Sequence, residues 1–151
     1  ASNIIYGPSY KGSAIAVATT QVVGHVSYAY NRKEAKEHGE GGIIIGAPLK
    51  GKKVIIVDDV MTTGTSSGEA VEIVRSEGGD PIGCVIAVDR QERGPDTNLS
   101  AVQQFEKNYG IPVKAVATLE DLIGLMQSSP QTYQVILEKI LEYREQYGVA
   151  L

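Results

Sequence analysis

Two rhythms of hydrophobic positions run through this chain. Val54-Ile55-Ile56-Val57 places four branched apolar residues in a row, the pattern of a strand buried on both faces of a parallel sheet. Ile82 to Val88 repeats that pattern. Shorter apolar stretches at Asn3 to Tyr6, His25 to Tyr30, Ile43 to Ile45 and Val113 to Ala117 predict four more strands. Between them the spacing changes to that of a helix. Ser13 to Val23 predicts the first, and a second starts after Thr65, carries apolar positions through Glu69 to Arg75 and stops at Gly78-Gly79. Ser100 with Gln103 forms a capping-box pattern that opens a third helix ending near Tyr109, and Thr118 caps a fourth over Leu119 to Gln127. Ser129-Pro130 starts the last, in which Tyr133, Ile136, Leu137, Ile140 and Leu141 share one face. Arg32 to Gly42 is charged and ends in Gly-Glu-Gly-Gly, which predicts a mobile loop.

Alternating strands and helices predict a single α/β domain over residues 1–151, a Rossmann-like parallel sheet with right-handed crossovers and helices on both faces. In such a sheet ligands bind beyond the carboxyl ends of the strands. Lys11, Arg32, Asp58, Asp59 and Arg90 each follow a predicted strand.

Composition narrows the field. A length of 151 residues with 42% hydrophobic content suffices for one core. The net charge of −4 argues against nucleic acid as a partner. No apolar run approaches the roughly 20 residues that span a bilayer, and the start has no signal-peptide pattern, so no membrane partner and a cytoplasmic location are expected. Cys84 is the only cysteine and lies in an apolar run, which makes it core filler. No Cys/His cluster suggests zinc. Gly46 to Lys53 approaches a P-loop pattern but ends in Lys where Ser or Thr is needed, and it leads into a strand.

The candidate chemistry centres on Val54 to Ser66, which reads as a strand, two carboxylates, a tight loop and a helix. The run Thr62-Thr63-Gly64-Thr65-Ser66 brings hydroxyls, backbone N–H groups and a helix N-terminus to one point, which suits a phosphate. Asp58 and Asp59 suit sugar hydroxyls or a hydrated Mg²⁺. Both can face one ligand only if the strand has ended before them, because successive strand residues point to opposite faces. Plainer readings stand beside these. Ser66 with Glu69 is a capping box in its own right, one acid is a solvated turn residue, Lys11 and the charged run are solvated, and Arg90 pairs with Asp89 or Glu92.

Val57-Asp58-Asp59-Val60-Met61-Thr62-Thr63-Gly64-Thr65 resembles the phosphoribosyl-pyrophosphate (PRPP) motif of type I phosphoribosyltransferases. With Gly7-Pro8-Ser9-Tyr10-Lys11-Gly12, the run Asn31 to Gly42 and Asp89-Arg90-Gln91-Glu92, the chain resembles the orotate phosphoribosyltransferase family over essentially its whole length. That resemblance implies the type I phosphoribosyltransferase fold and transfer of ribose 5-phosphate from PRPP to orotate, giving orotidine 5′-phosphate and pyrophosphate in pyrimidine biosynthesis. It implies that Asp58 and Asp59 hold the ribose hydroxyls and that Val60, Met61 and Thr62 to Ser66 wrap the 5′-phosphate. Tyr10, through its backbone, and Lys11 would meet pyrophosphate, with a non-proline cis peptide at Ser9–Tyr10. Arg32, Lys33, Lys36 and His38 would form a catalytic loop, residues 32–42, that closes over PRPP and acts in trans across a homodimer. Arg90, with Thr62, would meet orotate. Mg²⁺ would be held mainly by PRPP and water, with Asp58 and Asp59 as its candidate protein ligands. Family members carry an N-terminal hood ahead of Gly7 that this sequence lacks, which implies weak or absent turnover. The alternatives are a PRPP-binding core without catalysis, as a truncated scaffold or a regulator, and a transferase for another nucleobase.

Overall fold

The computed structural model describes residues 3–32, 42–94 and 97–149. Eleven elements alternate along them: β1 (Ile4–Gly7), α1 (Lys11–Val23), β2 (Ser27–Asn31), β3 (Ile44–Gly46), β4 (Lys53–Val60), α2 (Thr65–Ser76), β5 (Asp80–Asp89), α3 (Ala101–Tyr109), β6 (Val113–Thr118), α4 (Leu119–Ser128) and α5 (Pro130–Tyr147). The six strands form one sheet in the order β3-β2-β1-β4-β5-β6.

The sheet is parallel across β2-β1, β1-β4, β4-β5 and β5-β6, but β3 runs antiparallel to β2. The expected parallel α/β sheet is thus observed, with β3 as an antiparallel edge strand. A parallel return needs a crossover, usually a helix, and the polar run after Asn31 has no apolar periodicity from which to build one. Strand order reverses between β1 and β4, so the crevice for a ligand opens at their carboxyl ends.

Strand alternation divides the core. Ile4, Tyr6, Val54, Ile56, Cys84 and Ile86 pack on one face beneath Ala70, Val71 and Val74 of α2 and Phe105 of α3. Ile5 and Val57 pack on the other against Ala16 of α1. Helices therefore cover both faces, as the buried-strand pattern predicts. Cys84 is buried in the first cluster, and burial pushes its thiol up to about 12, consistent with core filler.

Close backbone contact fixes the start of α1 against the sheet. A Cβ at Gly7 would lie 1.8 Å from the Gly12 carbonyl oxygen, and one at Gly12 would lie 2.7 Å from that of Val57. The caps at Ser100 and Thr118 form as complete capping boxes, with Gln103 and Asp121 respectively.

The last helix departs from its predicted face. Tyr133, Leu137 and Ile140 are half-buried, whereas Ile136 and Leu141 are exposed. Here α5 leans on α4, and one neighbouring helix covers a narrower stripe than a full core face. Arg144 to Glu120 (2.6 Å) and Arg93 to the Gln146 carbonyl (2.5 Å) fasten it. Among the described residues no helix is long and apolar enough to cross a membrane.

Candidate functional site

The site begins with an acidic pair whose strand does not end where the sequence suggests. β4 continues through Asp58 and Asp59 to Val60, because Asp58 pairs with Ile86 and Val60 with Val88 of β5. Even so, the two carboxyls lie close enough to act on each other, and Lys11 acts on both, so the pair stays together although the strand has not ended. Asp58 is 8% exposed, and one of its carboxylate oxygens accepts the Asp59 N–H at 2.9 Å. Burial pushes its carboxyl above the usual range, against the pull of that hydrogen bond. Asp59 lies toward α1, where Lys11 Nζ donates to its Oδ2 at 2.5 Å. Burial raises Asp59 as well, but the Lys11 hydrogen bond, the Val60 amide and the Lys11 charge together hold it below the usual range. The same hydrogen bond raises Lys11. Lys11 follows β1 and Asp59 lies near the end of β4, so this pair spans the point where strand order reverses.

The loop after Val60 turns into α2 through Gly64, whose φ of 75° lies in the left-handed region that favours glycine. Gly64 is the N-cap, and no side chain caps the helix. The Ser66–Glu69 capping box does not form, because Ser66 already lies inside the first turn. The N–H groups of Thr65, Ser66 and Ser67 thus have no intrahelical acceptor. Thr63 and Thr65 join their hydroxyls at 2.9 Å. Residues 60–67 and Glu69 line a hollow of about 310 Å³. Open amides, hydroxyls and the positive end of a helix dipole make this hollow a receptor for an anion.

On the other side of the crevice the Ser9–Tyr10 peptide is cis, as the resemblance implies. Lys11 opens α1, with its charge at the rim. Arg32 follows β2, and its N–H donates to the Ile43 carbonyl at 2.8 Å. One guanidinium nitrogen, Nη1, is buried without a hydrogen-bond partner among the described residues. Arg32 lines a hollow of about 670 Å³ with Ser9, Tyr10, Ser13 and Tyr30. A buried donor atom without a partner is costly unless an acceptor meets it.

Arg90 lies directly after β5 and pairs with Glu92 at 3.0 Å, the plainer of its two readings. Asp89 instead accepts the Gln91 N–H at 2.9 Å. Glu92 also accepts the Tyr143 hydroxyl at 2.6 Å, which raises that phenol and ties Arg90 to α5. This clasp had no local signature, because Tyr143 and Glu92 are 51 residues apart. Among the described residues no hydrogen bond joins Arg90 to Thr62. Lys33, Lys36 and His38 lie outside the described residues. No group of three or more His, Cys, Asp or Glu side chains could hold a metal among the described residues. The acid pair alone fits an ion such as Mg²⁺, which takes one or two carboxylates and draws its other ligands from phosphates and water.

Comparison with known proteins gives this geometry a context. A family model described as "Phosphoribosyl transferase domain" matches residues 3–118. The chain is 49% identical to an orotate phosphoribosyltransferase of Neisseria meningitidis, covering 97% of this chain and 70% of that protein. The crystal structure of the orotate phosphoribosyltransferase of Francisella tularensis superposes with a TM-score of 0.83 at 31% identity, covering 96% of this chain and 70% of the other. That of Mycobacterium tuberculosis, solved in complex with PRPP, superposes with a TM-score of 0.65 at 28% identity, covering 79% and 64%.

Proposed function

This chain belongs to the orotate phosphoribosyltransferase family, and from that premise we propose that it transfers the ribose 5-phosphate of PRPP to orotate, releasing pyrophosphate, as a step of pyrimidine biosynthesis. The observation that carries the proposal is the α2 N-terminus, left without a side-chain cap directly after an acid pair at the point where strand order reverses. Phosphate at one end of a ribose and hydroxyls further along match those two features in order.

In this reading Thr62, Thr63, Gly64, Thr65 and Ser66 hold the 5′-phosphate, backed by Val60 and Met61, while Asp58 and Asp59 accept the ribose hydroxyls. Asp59 is engaged with Lys11 at 2.5 Å. Binding exchanges that pair: Asp59 turns to a hydroxyl, and Lys11 is released toward the pyrophosphate. Tyr10 offers backbone to the same group. Arg32, with its unmet buried donor, adds a second cation, and Lys33, Lys36 and His38 add more. The C1–O bond to pyrophosphate breaks as a ring nitrogen of orotate bonds C1 and gives up its proton to the departing pyrophosphate or to solvent, so negative charge grows on the leaving oxygens where these cations gather. Asp58 or Asp59 would help hold Mg²⁺ carried in with PRPP, and the ion would add positive charge there. Arg90 leaves Glu92 to meet the orotate carboxylate with a planar, bidentate fit, and Thr62 adds a contact to the base. The protein works as a cytoplasmic homodimer in which residues 32–42 of one subunit complete the site of its partner.

Calorimetric titration with PRPP in the presence of Mg²⁺ tests binding, and PRPP-dependent loss of orotate absorbance tests transfer. One PRPP site per chain and a loss that adenine or uracil does not replace are expected. Absence of PRPP binding at millimolar ligand overturns the reading, and binding with no orotate consumption overturns the transfer step.

A further inference from the structure

We propose that Asn31 is a positioning residue which locks the Ser9 turn to the backbone leaving β2, so that one side chain sets both segments facing the pyrophosphate end of the ligand. The inference rests on the function proposed above and adds a residue that reading does not use.

Asn31 is the last residue of β2 and pairs with Ile44 of β3. Its side-chain Oδ1 accepts two hydrogen bonds, from the Tyr6 hydroxyl at 2.9 Å and from the Ser9 N–H at 3.2 Å. Its Nδ2 donates to the Arg32 carbonyl at 3.2 Å. Its own carbonyl accepts the Ser9 hydroxyl. Two donors meet the oxygen and one acceptor meets the nitrogen, so only one orientation of the amide satisfies all three.

The anchor is rigid. Tyr6 is fully buried in the centre of the sheet, with β1 paired on both sides by β2 and β4. Burial also raises the pKa of its hydroxyl, which keeps it a donor. From that fixed point one amide reaches the turn that precedes Lys11 and the residue whose guanidinium Nη1 has no hydrogen-bond partner among the described residues. Among the described residues no hydrogen bond of Asn31 extends to the loop between β4 and α2. Its effect is therefore confined to one end of the ligand.

That confinement makes the test selective. In Asn31→Ala, PRPP and pyrophosphate are expected to bind about tenfold more weakly, the scale of one or two lost hydrogen bonds, whereas affinity for ribose 5-phosphate stays within about twofold of wild type. KM for PRPP rises in step. Asn31→Asp keeps the acceptor for Tyr6 and Ser9 but loses the donor to Arg32 and adds a negative charge, so it weakens PRPP and pyrophosphate at least as much as alanine while ribose 5-phosphate stays near wild type. The aspartate variant also serves where the alanine variant does not fold. Ribose 5-phosphate titration of each variant reports a folded site, and calorimetry reads all three ligands. Equal weakening of ribose 5-phosphate and pyrophosphate marks a general structural role and overturns the inference, as does unchanged affinity for both. Wild-type protein that binds none of the three ligands overturns the parent reading, and this one with it.

Discussion

Asp58 and Asp59 are neighbours in sequence and opposites in chemistry. Burial lifts Asp58 above the ordinary carboxylate range, while Lys11 and the Val60 amide hold Asp59 below it. Between its unfolded value and its raised folded value, Asp58 binds more protons in the folded state, so stability falls as pH rises through that window. Ionised Asp58 is then a standing destabilisation at neutral pH. Asp58→Asn keeps an oxygen for the Asp59 N–H and removes the charge. It should raise the thermal midpoint at pH 7 by about 2–4 °C, corresponding to ~1 kcal/mol in a domain of this size. The gain should shrink as pH falls and the wild-type carboxyl takes up its own proton. The same variant should lose roughly ten- to a hundredfold in kcat/KM, the scale of a charged hydrogen bond to the ribose. Scanning calorimetry from pH 4 to 7 together with steady-state rates checks both, and a variant less stable at pH 7 contradicts the argument. Asp59 has the opposite sign: its pair with Lys11 contributes above the unfolded carboxylate value and is lost as pH falls through the lowered folded value. The identities of both acids were legible in the sequence because the motif is contiguous. The strand that continues beneath them was not, because it depends on β5 continuing to pair with β4 beyond Val57. Nor was the Lys11–Asp59 pair, whose members are 48 residues apart.

At the scale of elements, three helices with similar local starts end up differently. α3 and α4 each carry a complete capping box, and α2 carries none although Ser66 and Glu69 have the right spacing. The difference is Gly64, which starts α2 two residues before that box could act. A local pattern reads true only where the chain enters the helix at the residue it names, and a left-handed glycine shifts that point. The uncapped helix is also the one assigned to phosphate. Two substitutions separate these roles. Ser100→Ala removes the cap of α3 and should cost about 1 kcal/mol, seen as a lower thermal midpoint, with ribose 5-phosphate affinity unchanged. Gly64→Asp sets a carboxylate against the amides of α2 and should weaken ribose 5-phosphate binding by about tenfold or more through repulsion at the positive helix end. Equal affinity of the aspartate variant and wild type in calorimetry would remove the phosphate from this helix. The same scale explains β3. Its apolar residues predicted a strand, but its direction depended on the absence of a crossover helix, a property of the polar run before it.

For the whole molecule, the alternation that makes an α/β sheet is plain in the sequence, whereas the strand order and the surface are not. Val135 is 68% exposed and Ile136 50%, on a helix whose apolar spacing suggested burial. Periodicity names the residues able to pack and leaves open how much partner surface they find. In the proposed homodimer the site would likewise be divided, with the acids and phosphate loop on one subunit and Lys36 on the other. That division has a consequence mutants can expose. A protein carrying Asp58→Asn and Asp59→Asn keeps a sound 32–42 segment, and one carrying Lys36→Ala keeps sound acids. Each alone should be nearly inactive. Mixed and re-equilibrated in equal amounts, about half the dimers become hybrids, and each hybrid holds one site with every group intact, so activity should recover to about a quarter of wild type. Recovery should follow subunit exchange, rising with incubation after mild denaturation and not on simple mixing. A mixture that stays as inactive as its parents, although mass spectrometry shows hybrids, would place the 32–42 segment over the site of its own subunit.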